Sequence, residues 1–260
     1  MFVVGVAGQM QAGKDTLADR LCHQLNAKHN VKVDEELENM LGTERDYRES
    51  QGWEPDYDPW KRSAFASNVK RVYCETFNVD AAFVEQWKTK AENPPGFDMP
   101  VRQALQFIGD GFRNIRGSIW LDLAFRDDVP KIISDVRYVN EFTRVKTEGG
   151  LNILIGRPDK LNDDPNGSEA QIRPYIDWCF KTFSPNVKFV DMRDIDWASV
   201  RDKLLQKVAG NGKPIDEPPP NIEMFDVFIR NDGSIDELYE IVDTKLVPFT
   251  HHFVFEFKGE

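Results

Sequence analysis

The feature that most constrains the fold is a glycine-rich loop set between an apolar run and a helical pattern. Residues 2–7 are apolar and of strand length, and residues 8–16 read GQMQAGKDT. Apolar residues then recur at helical spacing as far as Leu25, with a stop expected around residues 26–30. A strand, a tight loop and a helix in this order are typical of the first unit of an α/β fold with a parallel sheet.

The loop has the G-x-x-x-x-G-K spacing of a phosphate-binding (Walker A) loop. Gly8 and Gly13 allow the backbone to curl so that N–H groups point at phosphate oxygens, and the start of the helix adds its positive end. Lys14 supplies a cation for the β- and γ-phosphates of ATP, which makes it a predicted catalytic residue. The predicted ATP phosphate-binding residues are Gly8, Gln11, Ala12, Gly13, Lys14, Asp15 and Thr16. The alternative is a glycine-rich turn that binds nothing.

The residues after Lys14 depart from the commonest form of this loop. The hydroxyl that usually follows the lysine is replaced by Asp15, and Thr16 comes next. Thr16 is therefore the expected hydroxyl near Mg²⁺, and Asp15 is a second candidate metal ligand.

The rest of the chain alternates strand-like and helix-like segments. Strands are predicted at residues 131–135, 151–155, 187–190 and 225–229, and helices at 68–77, 80–87, 101–113, 118–125, 140–148, 198–208 and 234–245. Residues 157–170 are predicted to form a mobile loop, and residues 249–260 an edge strand or a tail. Together these patterns predict a three-layer α/β/α fold with a mostly parallel sheet and a site at the carboxyl ends of its strands.

A second acidic position follows a predicted buried strand. Asp135 comes at the end of the run 131–135, and Arg137 lies two residues further on. In phosphate-loop enzymes a carboxylate here orients the metal or the acceptor phosphate, and an arginine neutralises the transferring group. We therefore predict catalytic roles for both residues, the alternative being a surface ion pair.

A phosphate-binding loop can serve phosphoryl transfer from one nucleotide to another. Such a transfer needs several cations, because two polyanions are brought together. The candidates are Arg62, Lys70, Arg71, Arg102, Arg113, Arg137 and Arg157. Trp120 lies among apolar residues and is predicted either to stack on a base or to pack in the core.

Charge and cysteine content exclude some classes of protein. The net charge of −11 argues against a chain built to bind duplex nucleic acid. Residues 34–60 carry ten acids and two bases, a net −8, so the remaining chain is close to neutral. Three scattered cysteines fit a reducing compartment, and no apolar stretch is long enough to span a membrane, so a cytoplasmic protein is expected.

These blocks, in this order, resemble the bacteriophage-type deoxynucleoside monophosphate kinases. The matching pieces are the loop at 8–16, SAFASNVK at 63–70, VRQALQFIGD at 101–110, Ile119-Trp120, DVR at 135–137 with Asn140-Glu141, Gly149-Gly150, Arg157-Pro158, and NDGS at 231–234 with Leu238-Tyr239. Where this chain has Gly109-Asp110, family members usually carry Gly-Thr.

The resemblance implies a phosphate-loop (P-loop NTPase, nucleoside monophosphate kinase-like) fold that uses ATP and Mg²⁺. It implies a kinase domain over residues 1–248 with an inserted acidic segment at 34–60, substrate-binding helices at about 68–126, a lid at 157–175 that includes Arg157, and a tail at 249–260. The residues expected to hold the deoxynucleoside monophosphate (dNMP) are Phe65, Lys70, Arg102, Gly109, Asp110, Arg113, Trp120, Asp135, Arg137, Asn140 and Glu141.

The expected reaction is transfer of the γ-phosphoryl group of ATP to a dNMP, giving ADP and dNDP, in the host cytoplasm if the source is a phage. The partners are then small nucleotides, with no nucleic acid or membrane. Two alternatives stay open: a kinase of another small phosphorylated metabolite, and a non-catalytic nucleotide-binding interaction protein. The preferred base, selectivity against ribonucleotides, the role of residues 34–60 and the oligomeric state, a homodimer included, are left open by the sequence.

Overall fold

The computed structural model describes residues 2–39, 60–161, 167–200 and 217–256. It divides into two compact units, Met1–Arg62 with Val129–Glu260, and Ser63–Asp128. The first unit contains nearly all of the sheet, and the second unit is helical.

The sheet has six strands in the order β2-β3-β1-β4-β6-β5. They are β1 (Val3–Gly8), β2 (Lys61–Ser63), β3 (Lys131–Val136), β4 (Leu151–Gly156), β5 (Phe189–Asp191) and β6 (Val227–Arg230). β1 pairs in parallel with both β3 and β4, and β4 pairs in parallel with β6, whereas β5 is antiparallel to β6. The predicted α/β class with a mostly parallel sheet is confirmed.

The helices of the first unit cover both faces of this sheet. They are α1 (Lys14–Asn39), α6 (Val139–Thr147), α7 (Gly167–Thr182), α8 (Ile235–Ile241) and α9 (Val247–Glu256), with a π-helical stretch at Val242–Leu246. Val4 and Val6 of β1 share a core cluster with residues of α1 and α8. Phe142 of α6 and Tyr175 of α7 pack with Phe225 beside the other face. Alternate residues of each strand therefore serve the two helical layers.

The second unit has four helices among its described residues: α2 (Phe65–Phe77), α3 (Ala81–Trp87), α4 (Val101–Ile115) and α5 (Ile119–Ala124). Its small core is built around Tyr73, Val84, Val101 and Ala104. Aromatic rings pack beside this core. The ring of Phe97 contacts those of Tyr73, Phe77 and Phe83, with centroids 5.5 to 6.1 Å apart. In the described part of the whole chain, no helix is long and apolar enough to cross a membrane.

Three predicted boundaries were wrong. Helix α1 does not stop at residues 26–30 but continues to Asn39, and Asn26, at the predicted stop, is a helical residue whose side chain bonds the backbone of Trp60. Residues 167–170, read as loop, form the first turn of α7. Residues 249–256 are helical and not a strand or a tail, since Thr250 is buried and Phe249 and Phe253 pack on the core at helical spacing.

Smaller differences concern the strands and the segments outside the described residues. The predicted strand at 187–190 is shifted to Phe189–Asp191, and the short strand β2 was not predicted. Residues 197–200 are helical, as expected for the segment 198–208, whose remainder lies outside the described residues. Of the acidic segment 34–60, residues 34–39 belong to α1 and 40–59 lie outside the described residues.

Candidate functional site

The loops that follow β1, β3, β4 and β6 all leave the carboxyl edge of the parallel strands. These loops carry the glycine-rich segment (residues 8–16), Arg137, Arg157 and Asn231, respectively, and Asp135 lies at the carboxyl end of β3 itself. Ligands of parallel α/β sheets bind at this edge, so these are the residues placed to share one site in the first unit.

The glycine-rich loop has a backbone that few residues other than glycine adopt. Gly13 has a φ of 94° and Gln11 a φ of 60°, both in the left-handed region. A Cβ at Gly13 would come within 2.6 Å of the side-chain nitrogen of Asn231, and one at Gly8 within 2.3 Å of the Ile155 carbonyl oxygen. Close approach therefore requires glycine at both positions, and at Gly13 the left-handed backbone requires it as well.

Asn231, which follows β6, fixes the loop from the opposite side. Its side-chain nitrogen donates a hydrogen bond to the Ala12 carbonyl at 2.8 Å, and its backbone N–H donates to the Gly156 carbonyl at 2.8 Å. Asn231, which is buried, thus joins the loop to the ends of β4 and β6.

Lys14 is held inside the site and not on its surface. It is 8% exposed, and its Nζ donates to the Gln9 carbonyl at 2.7 Å. Burial, followed by the like charge of Arg137, lowers the pKa of Lys14 from 10.5 to about 8, against the raising effect of Asp15, Glu169 and Asp135. The predicted catalytic residues Lys14, Asp135 and Arg137 are therefore close enough to interact electrostatically.

Two residues that sequence reasoning missed shape the same loop. Glu169 on the first turn of α7 is 4% exposed, and its Oε1 accepts a hydrogen bond from the Met10 N–H at 2.8 Å. The side chain of Gln9 donates to the Arg157 carbonyl at 2.6 Å. Gln9 lies inside the recognised motif and could have been flagged, but Glu169 lies in a stretch that reads as loop and no local signal marks it.

Asp15 is paired in a way that bears on its predicted role as a metal ligand. Its Oδ1 accepts from Arg62 Nη2 at 2.9 Å and from Ser134 Oγ at 2.8 Å. Thr16, half-buried on the next position of α1, lines the cavity beside it. Thr16 thus stays a candidate ligand, while one oxygen of Asp15 already has two donors.

A cavity of about 330 Å³ opens beside the loop within the first unit. Its walls come from the glycine-rich loop with the start of α1, from Arg157, and from the turn and first residues of α8; they are Gln11, Gly13, Lys14, Asp15, Thr16, Arg157, Asn231, Gly233, Ser234, Ile235 and Leu238. Lys14 and Arg157 bring two cations to this cavity, so its chemistry suits an anionic group.

The segment after β3 carries Arg137 on a fixed turn. Glu141 is buried, and its Oε2 accepts from the N–H groups of Arg137 at 2.7 Å and Tyr138 at 3.1 Å. Asn140 is exposed on the first turn of α6. Glu141 thus caps the start of α6 and positions the backbone of Arg137. The predicted contact between Glu141 and a dNMP stays a prediction.

The remaining predicted substrate residues lie in the second unit. Arg102 is exposed on α4, and Arg113 on the same continuous helix bonds Asp110 at 3.3 Å. Lys70 pairs with Glu85 at 2.7 Å, and Phe65 is buried at the start of α2.

Trp120 lies in the interior of the second unit. It is 2% exposed, its indole N–H donates to the Gly109 carbonyl at 3.0 Å, and its ring packs against Phe112. These contacts are those of a residue that packs in the core, which is one of the two roles predicted for Trp120. The other role, stacking on a base, stays a prediction.

The described residues contain no cluster of three or more His, Cys, Asp or Glu side chains able to hold a metal ion. Mg²⁺ that binds together with a nucleotide commonly takes one or two protein oxygens, water and phosphate oxygens. The Thr16 hydroxyl in the cavity wall fits such a donor set.

Comparison with known proteins gives one partial similarity. No family model matches the chain. A protein of Acanthamoeba polyphaga mimivirus, named "Putative deoxynucleotide monophosphate kinase", is 29% identical over 130 residues, which cover 42% of this chain and 67% of that protein. The chain is therefore similar, over less than half of its length, to a protein that is named a nucleotide kinase.

Proposed function

We propose that this protein is a phosphate-loop kinase that transfers the γ-phosphoryl group of ATP to a deoxynucleoside monophosphate. The observation that carries the proposal is Lys14, buried at the base of a cavity whose wall is the curled backbone of residues 11–16. The partial similarity to the mimiviral protein supports a nucleotide as the acceptor.

In this proposal the cavity of the first unit takes the triphosphate of ATP. Gly8 and Gly13 let the loop pack closely on Ile155 and Asn231. In the proposal the curled backbone then turns its N–H groups toward the phosphates. Lys14 binds the β- and γ-phosphates, and Arg157 adds a second cation at the cavity wall. Mg²⁺, when bound, would neutralise phosphate charge, with Thr16 as the protein ligand that the cavity offers.

The transfer itself needs little from the protein beyond position and charge. An oxygen of the acceptor phosphate attacks the γ-phosphorus, the bond between that phosphorus and the β–γ bridging oxygen breaks, and its electron pair leaves with ADP. Lys14 and Arg137 stabilise the charge that develops on the transferring group. Because the acceptor phosphate is already ionised, Asp135 is assigned to positioning and not to proton abstraction.

The resemblance described above assigns the acceptor to the full set of predicted dNMP-binding residues, of which Arg102 and Arg113 lie in the second unit. Arg102 and Arg113 lie eleven residues apart on one continuous helix, so their side chains start from the same face. Because three helical turns, about 16 Å, separate them, the two arginines are suited to different parts of a nucleotide and not to a single phosphate group.

A coupled assay of ADP formation tests the proposal. The protein is incubated with ATP and Mg²⁺, first alone and then with dAMP, dCMP, dGMP, dTMP or other small phosphorylated metabolites. ADP formation that depends on at least one dNMP is the expected result. Turnover only with another metabolite would support the first alternative, and ATP binding without transfer to any acceptor would support the nucleotide-binding protein.

A further inference from the structure

A carboxylate in the wall of an anion-binding cavity needs an explanation. Asp15 directly follows Lys14, and both line the cavity of about 330 Å³. An unpaired negative charge within a few ångströms of a triphosphate would weaken binding, because like charges at such distances repel by about 1 kcal/mol even in water. We therefore expect another group of the protein to offset the negative charge of Asp15.

Arg62 on β2 is the group that contacts this carboxylate. Its Nη2 donates to Asp15 Oδ1 at 2.9 Å and to Ser134 Oγ at 3.0 Å, while its Nη1 donates to the Asp15 carbonyl at 2.7 Å and to Asp19 Oδ1 at 2.6 Å. Ser134 is buried on β3 and donates to the same Asp15 oxygen at 2.8 Å. One guanidinium thus joins β2 and β3 to the first turn of α1.

This arrangement differs from an ordinary surface ion pair. Asp15 is 78% exposed, and an isolated pair at that exposure contributes little. Here, however, Arg62 also bonds the backbone of Asp15 and a buried hydroxyl, so the planar fork of donors fixes the position of the carboxylate. A lysine at position 62 would carry the same charge but could not make the same set of hydrogen bonds, because it lacks the planar guanidinium group.

We propose that Arg62 is a positioning residue for the triphosphate: it pairs with Asp15, holds its carboxylate against Ser134, and so offsets the repulsion between that carboxylate and an anionic ligand in the cavity. Asp15 then serves as an anchor for the first turn of α1 and not as a metal ligand. The inference rests on the proposed function of the cavity and names a residue of that same site.

A charge-reversal cycle tests it, with binding measured by calorimetry for two probes, ATP with Mg²⁺ and metal-free inorganic tripolyphosphate. The proteins are the wild type, Arg62→Met, Arg62→Lys, Asp15→Asn and the double variant. Arg62→Met should weaken both ligands about 10-fold or more, which is 1.4 kcal/mol or more. Adding Asp15→Asn should recover most of that loss, and Arg62→Lys should fall between wild type and Arg62→Met.

The control is a similar pair on the same helix. Arg20 of α1 binds Asp243 through two nitrogens, and both side chains are about as exposed as Arg62. Arg20→Met should leave the affinity for tripolyphosphate within twofold of wild type. Circular dichroism establishes that each variant is folded before binding is measured.

The outcomes separate the two proposals. If Arg62→Met binds within twofold of wild type, or if the double variant binds no better than Arg62→Met, the role of Arg62 is overturned. If the wild type binds tripolyphosphate but not ATP, the proposed function fails, and the cycle on tripolyphosphate still decides the role of Arg62. If the wild type binds neither probe, both proposals are overturned.

Discussion

At the scale of single residues, Lys14 connects burial to pH dependence. Its pKa in the free protein is about 8, whereas bound phosphates would favour the charged amine and raise that pKa. The affinity for ATP should therefore be steady up to about pH 8 and fall by up to tenfold per pH unit above it. Calorimetric titration between pH 7.5 and 9.5 measures this, and Lys14→Met should lose the break at pH 8. An equal slope in Lys14→Met would show that another group titrates.

The same pKa has a consequence for stability with the opposite sense. The ordinary pKa of lysine, 10.5, applies to the unfolded chain, so between about pH 8 and 10.5 the unfolded chain binds the proton that the folded protein has released. The contribution of Lys14 to the free energy of unfolding therefore rises with pH across that window. The free energy of unfolding therefore rises over the same pH range in which ATP binding weakens. A trade-off between stability and function is expected for a cation that is buried for a functional reason.

Gly8 provides a test of the loop backbone. A Cβ there would lie 2.3 Å from the Ile155 carbonyl, with which Gly8 is paired across β1 and β4. Gly8→Ala should lower the free energy of unfolding by about 2 to 4 kcal/mol, measured by urea denaturation. Gly111→Ala is the control, because nothing lies within 4 Å of its added methyl group and α4 gains helix propensity. Equal losses in both variants would contradict the close approach.

The residues of the site differ in how well the sequence could reveal them. Gly13 and Lys14 follow from a local spacing, because a curled loop needs those residue types in that order. Glu169 and Arg62 reach the loop from residues far along the chain, 159 positions from Met10 and 47 from Asp15, respectively. Their roles depend on tertiary packing, which no pattern of neighbouring residues records.

At the scale of elements, a partly buried ion pair joins α6 to the residue that precedes β6. Lys146 Nζ bonds Asp226 Oδ1 at 2.7 Å, and Asp226 Oδ2 accepts from the Asn152 N–H at 2.8 Å. Burial raises the pKa of Asp226, while Lys146 and, more weakly, Arg193 act to lower it. The carboxylate therefore depends on its cation to stay charged.

Removing that cation should be costly in a pH-dependent way. Lys146→Met should lower the free energy of unfolding by about 3 kcal/mol at pH 7. The loss should be smaller at pH 5, because the raised pKa of Asp226 means that the folded protein takes up a proton more readily than the unfolded chain and loses stability as pH rises. Urea denaturation at both pH values measures this, with the exposed Lys28→Met as control. Equal losses at pH 5 and 7 would show that the carboxylate does not titrate.

Element boundaries were predictable where local chemistry sets them. The predicted helix at 234–245 begins at Ser234, a residue type that caps helices, and its side chain does accept from the Glu237 N–H. The predicted helix at 140–148 is followed by Gly149, whose φ of 72° is typical of a helix C-terminus. The helical state of residues 249–256 was not predictable, because Phe249 and Phe253 pack on the shared core. Tertiary context there overrides the local pattern.

At the scale of the whole molecule, the charge of the chain is uneven. Residues 34–60 carry most of the net −11, and this segment begins within the last part of the site helix α1. The remaining chain is nearly neutral, which is compatible with a cavity that presents Lys14 and Arg157. The overall acidity of the protein therefore does not argue against binding of ATP.

Transfer of labelled phosphate tests the central claim most directly. Wild type, Lys14→Ala and the exposed control Lys28→Ala are incubated with Mg²⁺, ATP labelled at the γ-phosphorus, and each of the four dNMPs, and the products are separated by chromatography. We predict labelled dNDP from at least one dNMP with wild type and Lys28→Ala, and a yield at least 100-fold lower with Lys14→Ala. No labelled dNDP from any of the four, or transfer by Lys14→Ala within a few-fold of wild type, would contradict the account.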